Sequence, residues 1–153
     1  SELQQCEYAV RWAVLNLAHG VDKIFYHAGT CDGLNQDSLQ GIFFEYGGTP
    51  HKIYAAQAVM AHFLTPTAKF VGRLTLAAPT RAYLFRDGDR LVCVIWAENT
   101  TTAKEIALGN DKVRILDLMG QPLAGRRFTP DSTPVYLTTS GLTDDEFRDG
   151  VRD

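Results

Sequence analysis

The sequence predicts an α+β fold, a helix–strand–helix segment followed by an antiparallel β-sandwich. Two observations carry this. Apolar residues recur at three- and four-residue steps in two stretches before residue 65. After residue 67 the chain breaks into short β-rich runs separated by turn residues, at the spacing of a sandwich or barrel. The expected organisation is a helix–strand–helix segment over 1–66, a β-sandwich over 67–140 and a charged tail over 141–153.

Residues 2–19 form the first helix by pattern: Leu3, Cys6, Val10, Ala13, Val14 and Leu17 share one face. Gly20 is its stop signal. Val21 to Ala28, with Ile24, Phe25 and Tyr26, reads as a short buried strand ending before Gly29. Thr30 to Gln40 is polar and aperiodic, and reads as a loop. Gly41 to Tyr46 is a short strand or an extended loop. Gly47-Gly48-Thr49-Pro50 predicts a turn and a helix start, with Thr49 as N-cap and Pro50 at the first helical position. The second helix runs to about Leu64 on a stripe of Ile53, Ala56, Met60 and Phe63 or Leu64, and Thr65-Pro66 ends it.

Six strands are expected: Val71 to Leu76, Arg81 to Arg86, Arg90 to Ala97, Lys104 to Leu108, Lys112 to Leu116 and Val135 to Thr138. Asp87-Gly88-Asp89 is a hairpin turn, and Met119-Gly120-Gln121-Pro122 is another turn. Residues 141–153, with Asp144-Asp145-Glu146, read as a frayed tail.

Composition narrows the function classes. The chain has 153 residues, 45% hydrophobic and 22% charged, with a formal net charge of -3. Mean hydropathy is -0.13. An acidic balance argues against a nucleic-acid partner. The longest apolar run, Leu91 to Ala97, is far short of the roughly 20 residues of a membrane span. No membrane partner is expected, no signal peptide is visible, and the chain reads as soluble with no compartment assigned. Cys6, Cys31 and Cys93 are odd in number and widely spaced, so no disulfide framework is implied. Asn99-Thr100-Thr101 is a glycosylation sequon, relevant only in a eukaryotic secretory protein.

A lone strand between two helices cannot satisfy its own backbone groups. The first segment therefore reads as a piece of a larger α/β sheet or barrel. Val21-Asp22-Lys23-Ile24-Phe25-Tyr26-His27, then Gly41-Ile42-Phe43-Phe44 and Gly48-Thr49-Pro50-His51-Lys52-Ile53-Tyr54-Ala55-Ala56, resemble the eighth strand, loop and last helix of a clan A (β/α)8-barrel glycoside hydrolase. The group resembled is that of β-xylosidase and α-L-iduronidase, with its trailing β-sandwich. Phe70-Val71-Gly72, Ala82-Tyr83-Leu84-Phe85, Val92-Cys93-Val94-Ile95-Trp96 and Val113-Arg114-Ile115-Leu116-Asp117-Leu118-Met119-Gly120 resemble successive sandwich strands, and Pro134-Val135-Tyr136-Leu137 the closing one. The resemblance spans residues 5–138 and consists of strand and turn patterns.

The resemblance implies an accessory, structural portion of a glycosidase. The family's two catalytic carboxylates follow the fourth and seventh barrel strands, upstream of Ser1, so no catalytic residue is assigned and the chain alone is expected to be inactive. No cofactor and no metal are implied. Carbohydrate is a partner only through the parent enzyme. The missing barrel portion, a complementary chain or a second copy is expected to cover the faces of Val10, Val14, Leu17, Ile53 and Met60. The alternative is a stand-alone carbohydrate-binding or protein-interaction β-sandwich module, which requires a row of exposed aromatics on one sheet face. A third reading, a small enzyme built on the 27–45 loop, has only scattered candidate residues.

Tyr26, His27 and Asp32 are the candidate substrate-lining residues, because the C-terminal end of a barrel strand faces the active site. Ordinary loop packing is the competing reading. A Cys31–His27 nucleophile pair has a mechanism but no visible oxyanion arrangement. A metal site from His27, Cys31 and Asp32 lacks paired ligand spacing. Glu45 reads as a solvated loop acid, with Asp32 and Asp37 the nearest possible partners. Gly47-Gly48-Thr49 lacks phosphate-loop spacing and reads as a helix cap. Trp96 lies in an apolar run and reads as core rather than as a sugar platform.

Overall fold

The structure is a computed structural model and describes residues 1–25, 43–44, 48–98 and 100–153. Helix α1 spans Glu2–Ala18 and α2 Lys52–Phe63. Strands follow: β1 Lys69–Arg73, β2 Thr80–Asp87, β3 Arg90–Ala97, β4 Ile106–Leu108, β5 Arg114–Leu116, β6 Arg127–Phe128 and β7 Val135–Ser140. Helix α3, Asp144–Asp149, and β8, Val151–Arg152, close the chain. The class is α+β. A five-stranded antiparallel sheet runs β1-β2-β3-β7-β5, and a three-stranded antiparallel sheet runs β6-β4-β8.

The larger sheet is buried on both faces, which explains the unbroken apolar run of β3. In strand geometry successive side chains point to opposite faces. Tyr83, Phe85, Val92, Val94, Trp96 and Tyr136 pack against Cys6, Val10, Ala13 and Val14 of α1 and Ile53, Ala56 and Met60 of α2. Ala82, Leu84, Leu91, Cys93, Ile95 and Leu137 pack in the second core with Ile106, Leu108, Phe147 and Val151. Trp96 is only 3% exposed and stacks on Tyr83 with centroids 5.2 Å apart and planes 15° apart. Such a pair contributes about 0.5–1.5 kcal/mol beyond its area. The core reading of Trp96 holds.

Ser1 caps α1 through a capping box with Gln4, and Gly20 takes φ 84° just beyond the end of α1, a conformation glycine adopts without steric cost. Helix α2 starts two residues later than its sequence suggests. His51, not Thr49, is the N-cap, because Pro50 bridges Phe44 and the His51 amide donates to the Phe43 carbonyl at 2.8 Å. Val21 to Phe25 form no strand; the rest of that expected strand lies outside the described residues. Among the described residues Val21, Ile24 and Phe25 have no strand partner, and Phe25 is 85% exposed.

The C-terminal residues are not frayed. Thr143 and Glu146 form a capping box for α3, Phe147 is fully buried, and β8 pairs with β4. Arg86 Nε donates to Asp144 at 2.9 Å. Arg148 donates to the Arg73 and Val71 carbonyls at 2.7 and 3.0 Å. This occupies the irregularity of β1 at Gly72, where a Cβ would approach the Arg148 guanidinium to 3.0 Å.

Two polar tethers lock the helices to the sandwich. Buried Glu7 of α1 accepts a bond from Thr133 Oγ1 at 2.8 Å. At the end of α2, Asp87 accepts from Thr65 Oγ1 at 2.8 Å, Thr67 Oγ1 at 2.6 Å and Arg90 Nη2 at 3.0 Å. Arg90 also donates to the His62 and Phe63 carbonyls. The two threonine hydroxyls, then Arg90, hold the Asp87 carboxyl below its ordinary value of 3.8. A depressed folded pKa means this contribution is complete above that ordinary value and is lost as pH falls through the lower folded one. Asp87→Asn should therefore lower the melting temperature at pH 7, and the gap from the parent should narrow at pH 3. Melts that show an equal gap at both values would refute the assignment.

Candidate functional site

The two long helices run side by side in the same direction. At their starts, Glu2 Oε1 lies 3.2 Å from His51 Nδ1, and Glu2 Oε2 lies 3.9 Å from Lys52 Nζ. At their ends, Leu17 and Ala18 share a cleft with Leu64 and Thr65. Helix α1 is about 25 Å long at 1.5 Å per residue. The end of α1 and the start of α2 thus lie at opposite ends of the helix pair.

Tyr26, His27 and Asp32, together with Cys31, Asp37 and Glu45, lie outside the described residues. What the structure does place at the helix starts is a small cluster. Phe44 stands 5.1 Å from Tyr54, ring centroid to centroid. The His51 side chain is 10% exposed, and its Nδ1 faces the Glu2 carboxylate. That pairing puts the ring proton on Nδ1 and leaves Nε2 as an acceptor in the neutral form. Nε2 is buried and has no hydrogen-bond partner among the described residues. His51 carries no signal in the sequence, where Thr49-Pro50 looks like the helix start. A carboxylate and an imidazole beside two helix starts can orient a polar ligand or hold a proton.

The two cysteines among the described residues offer no competing chemistry. Cys6 and Cys93 are buried and unpaired, and burial pushes both thiols up. Among the described residues no group of three or more His, Cys, Asp or Glu is placed to hold a metal ion. No helix among them is long and apolar enough to cross a membrane.

The exposed apolar surface lies on an unexpected side. Val10, Val14, Ile53 and Met60, expected to need an outside partner, are covered by the five-stranded sheet, and Leu17 packs partly against the same core. Tyr8 and Trp12, one turn apart on the opposite side of α1, are 67% and 47% exposed, and Tyr54 of α2 is 49% exposed. The helices thus carry two apolar sides, and the sequence pattern singled out the one the sandwich covers.

Neither protein-family models nor curated proteins gave a match to this sequence. Among solved structures, the chain is similar to a GH30 endoxylanase from Clostridium papyrosolvens C71, at 15% identity and a TM-score of 0.45. The alignment covers 62% of this chain and 29% of the endoxylanase chain.

Proposed function

We propose that the chain is the closing portion of a glycoside hydrolase: the last helices of its (β/α)8 barrel with an accessory β-sandwich. Its role is structural, and the parent's catalytic carboxylates lie elsewhere in the polypeptide. The observation that carries this reading is the parallel helix pair with one side packed on the sandwich and exposed aromatic residues, Tyr8 of α1 and Tyr54 of α2, outside that core. Helices in the outer ring of such a barrel need strands against their inner side. Tyr8, Trp12 and Tyr54 supply the apolar contact for them. In the parent, Tyr26, His27 and Asp32 edge the sugar site, and two carboxylates from the remaining barrel act as acid/base and nucleophile.

A stand-alone carbohydrate-binding sandwich is less well supported. The large exposed apolar side chains among the described residues are Leu3, Tyr8, Trp12, Val21, Phe25, Tyr54 and Leu123. None of them lies in a strand.

An antibody raised against this chain should detect, in the native source, a denatured polypeptide well above 17.0 kDa. That polypeptide should hydrolyse a glycoside. A native species at 17.0 kDa that copurifies with no barrel subunit would overturn the proposal.

A further inference from the structure

A groove on the helix side of the large sheet, away from the helix starts, has the composition of an anion site. It holds about 350 Å³ and is lined by Phe63, Arg90, Lys112, Arg114, Thr138, Thr139 and Ser140. That volume falls at the small end of the roughly 300–1,000 Å³ range of ligand sites. Strand register builds it. Arg114 pairs with Thr138, and Arg90 with Ser140. Val113 and Ile115 are buried in the second core, so alternation turns Arg114 to the other face, beside Thr138. The end of α2 brings Phe63 over the same face, its ring 5.0 Å from that of Tyr136.

The lining contains three cationic side chains and no acid, in a chain whose net charge is -3. The cations are not equivalent. Arg90 is committed to Asp87 and to the carbonyls at the end of α2. The Arg114 side chain has no hydrogen bond or ion pair with the described residues, and the residue is exposed. A guanidinium in that state, flanked by an ammonium and two hydroxyl-bearing residues, suits a carboxylate that takes two parallel N–H bonds. Thr138 and Ser140 add donors and acceptors for neighbouring hydroxyls, and Phe63 adds an apolar wall.

We propose that this groove binds a carboxylated sugar, with the carboxylate on Arg114 and Lys112 and ring hydroxyls on Thr138 and Ser140. The proposal goes beyond the glycosidase reading and does not depend on it, because the groove is complete within this chain.

Calorimetric titration of the chain with glucuronate, with glucose and with sulfate tests it. Glucuronate should bind saturably and more weakly as salt is raised, and glucose should give no saturable signal. Arg114→Ala should weaken glucuronate binding at least about tenfold, the loss expected for a charge-assisted hydrogen bond, with an unchanged melting temperature. Arg114→Lys, which keeps the charge but not the fork, should fall between. Binding of sulfate without glucuronate, equal binding of glucose, no binding, or binding indifferent to both Arg114 variants would each overturn the proposal.

Discussion

Phe147→Ala should cost the protein about 3–5 kcal/mol, the range for deleting a fully buried aromatic ring. At this chain length the melting temperature should fall by about 10 °C or more. The reason is the position of α3. Phe147 has no exposed surface and sits among Leu84, Leu91, Ile106, Leu137 and Val151 in the second core. Arg86 and Arg148 bind α3 to β2 and β1, and the Ala77 amide donates to the Asp153 carboxylate. Asp145→Ala, at an exposed position on the same helix, should leave the melt nearly unchanged. Circular-dichroism melts of the two variants decide the matter. A frayed terminus would make both silent.

The second large effect concerns association. The isolated chain should self-associate through the exposed aromatic residues of the helix pair, and Tyr8→Ser with Tyr54→Ser should shift the monomer–dimer equilibrium at least about tenfold toward monomer. Both side chains lie outside the core that α1 shares with the sheet, so the double variant should keep its melting temperature. Sedimentation equilibrium over a range of concentrations measures the shift. An unmodified chain that stays monomeric throughout would remove the need for a partner at those residues and weaken the barrel reading with it.

Much of the fold was legible in the sequence because its elements follow simple periods. The first helix, the β2–β3 hairpin and the Arg90–Ala97 strand appear where alternation, spacing and turn residues place them. The failures have physical causes. A two-residue strand such as β6 has no period to detect. The acidic run at 144–146 sits in a segment that reads as a frayed tail, although acids in a first turn favour a helix start. Thr143 followed three residues later by Glu146, just before Phe147, was the available signal. The sidedness of α1 was half legible: the stripe through Cys6, Val10 and Val14 stands out, while Tyr8 and Trp12 fall between its steps. The site was less legible than the fold. Glu7, His51 and Arg114 acquire their partners or their setting from residues distant in sequence, through contacts that no local pattern encodes.

The sheet that separates the two cores imposes a division of labour. From Leu91 to Trp96 every side chain is claimed, alternately, by one packed layer or the other. Such a strand has no side left to vary: a change of volume anywhere along it disturbs a full interior. Novelty is therefore confined to the margins, at the edge strands β1 and β5, at the strand ends and on the far side of the helices. There the chain can acquire a new contact without renegotiating its centre, and there the basic groove and the aromatic helix face are found.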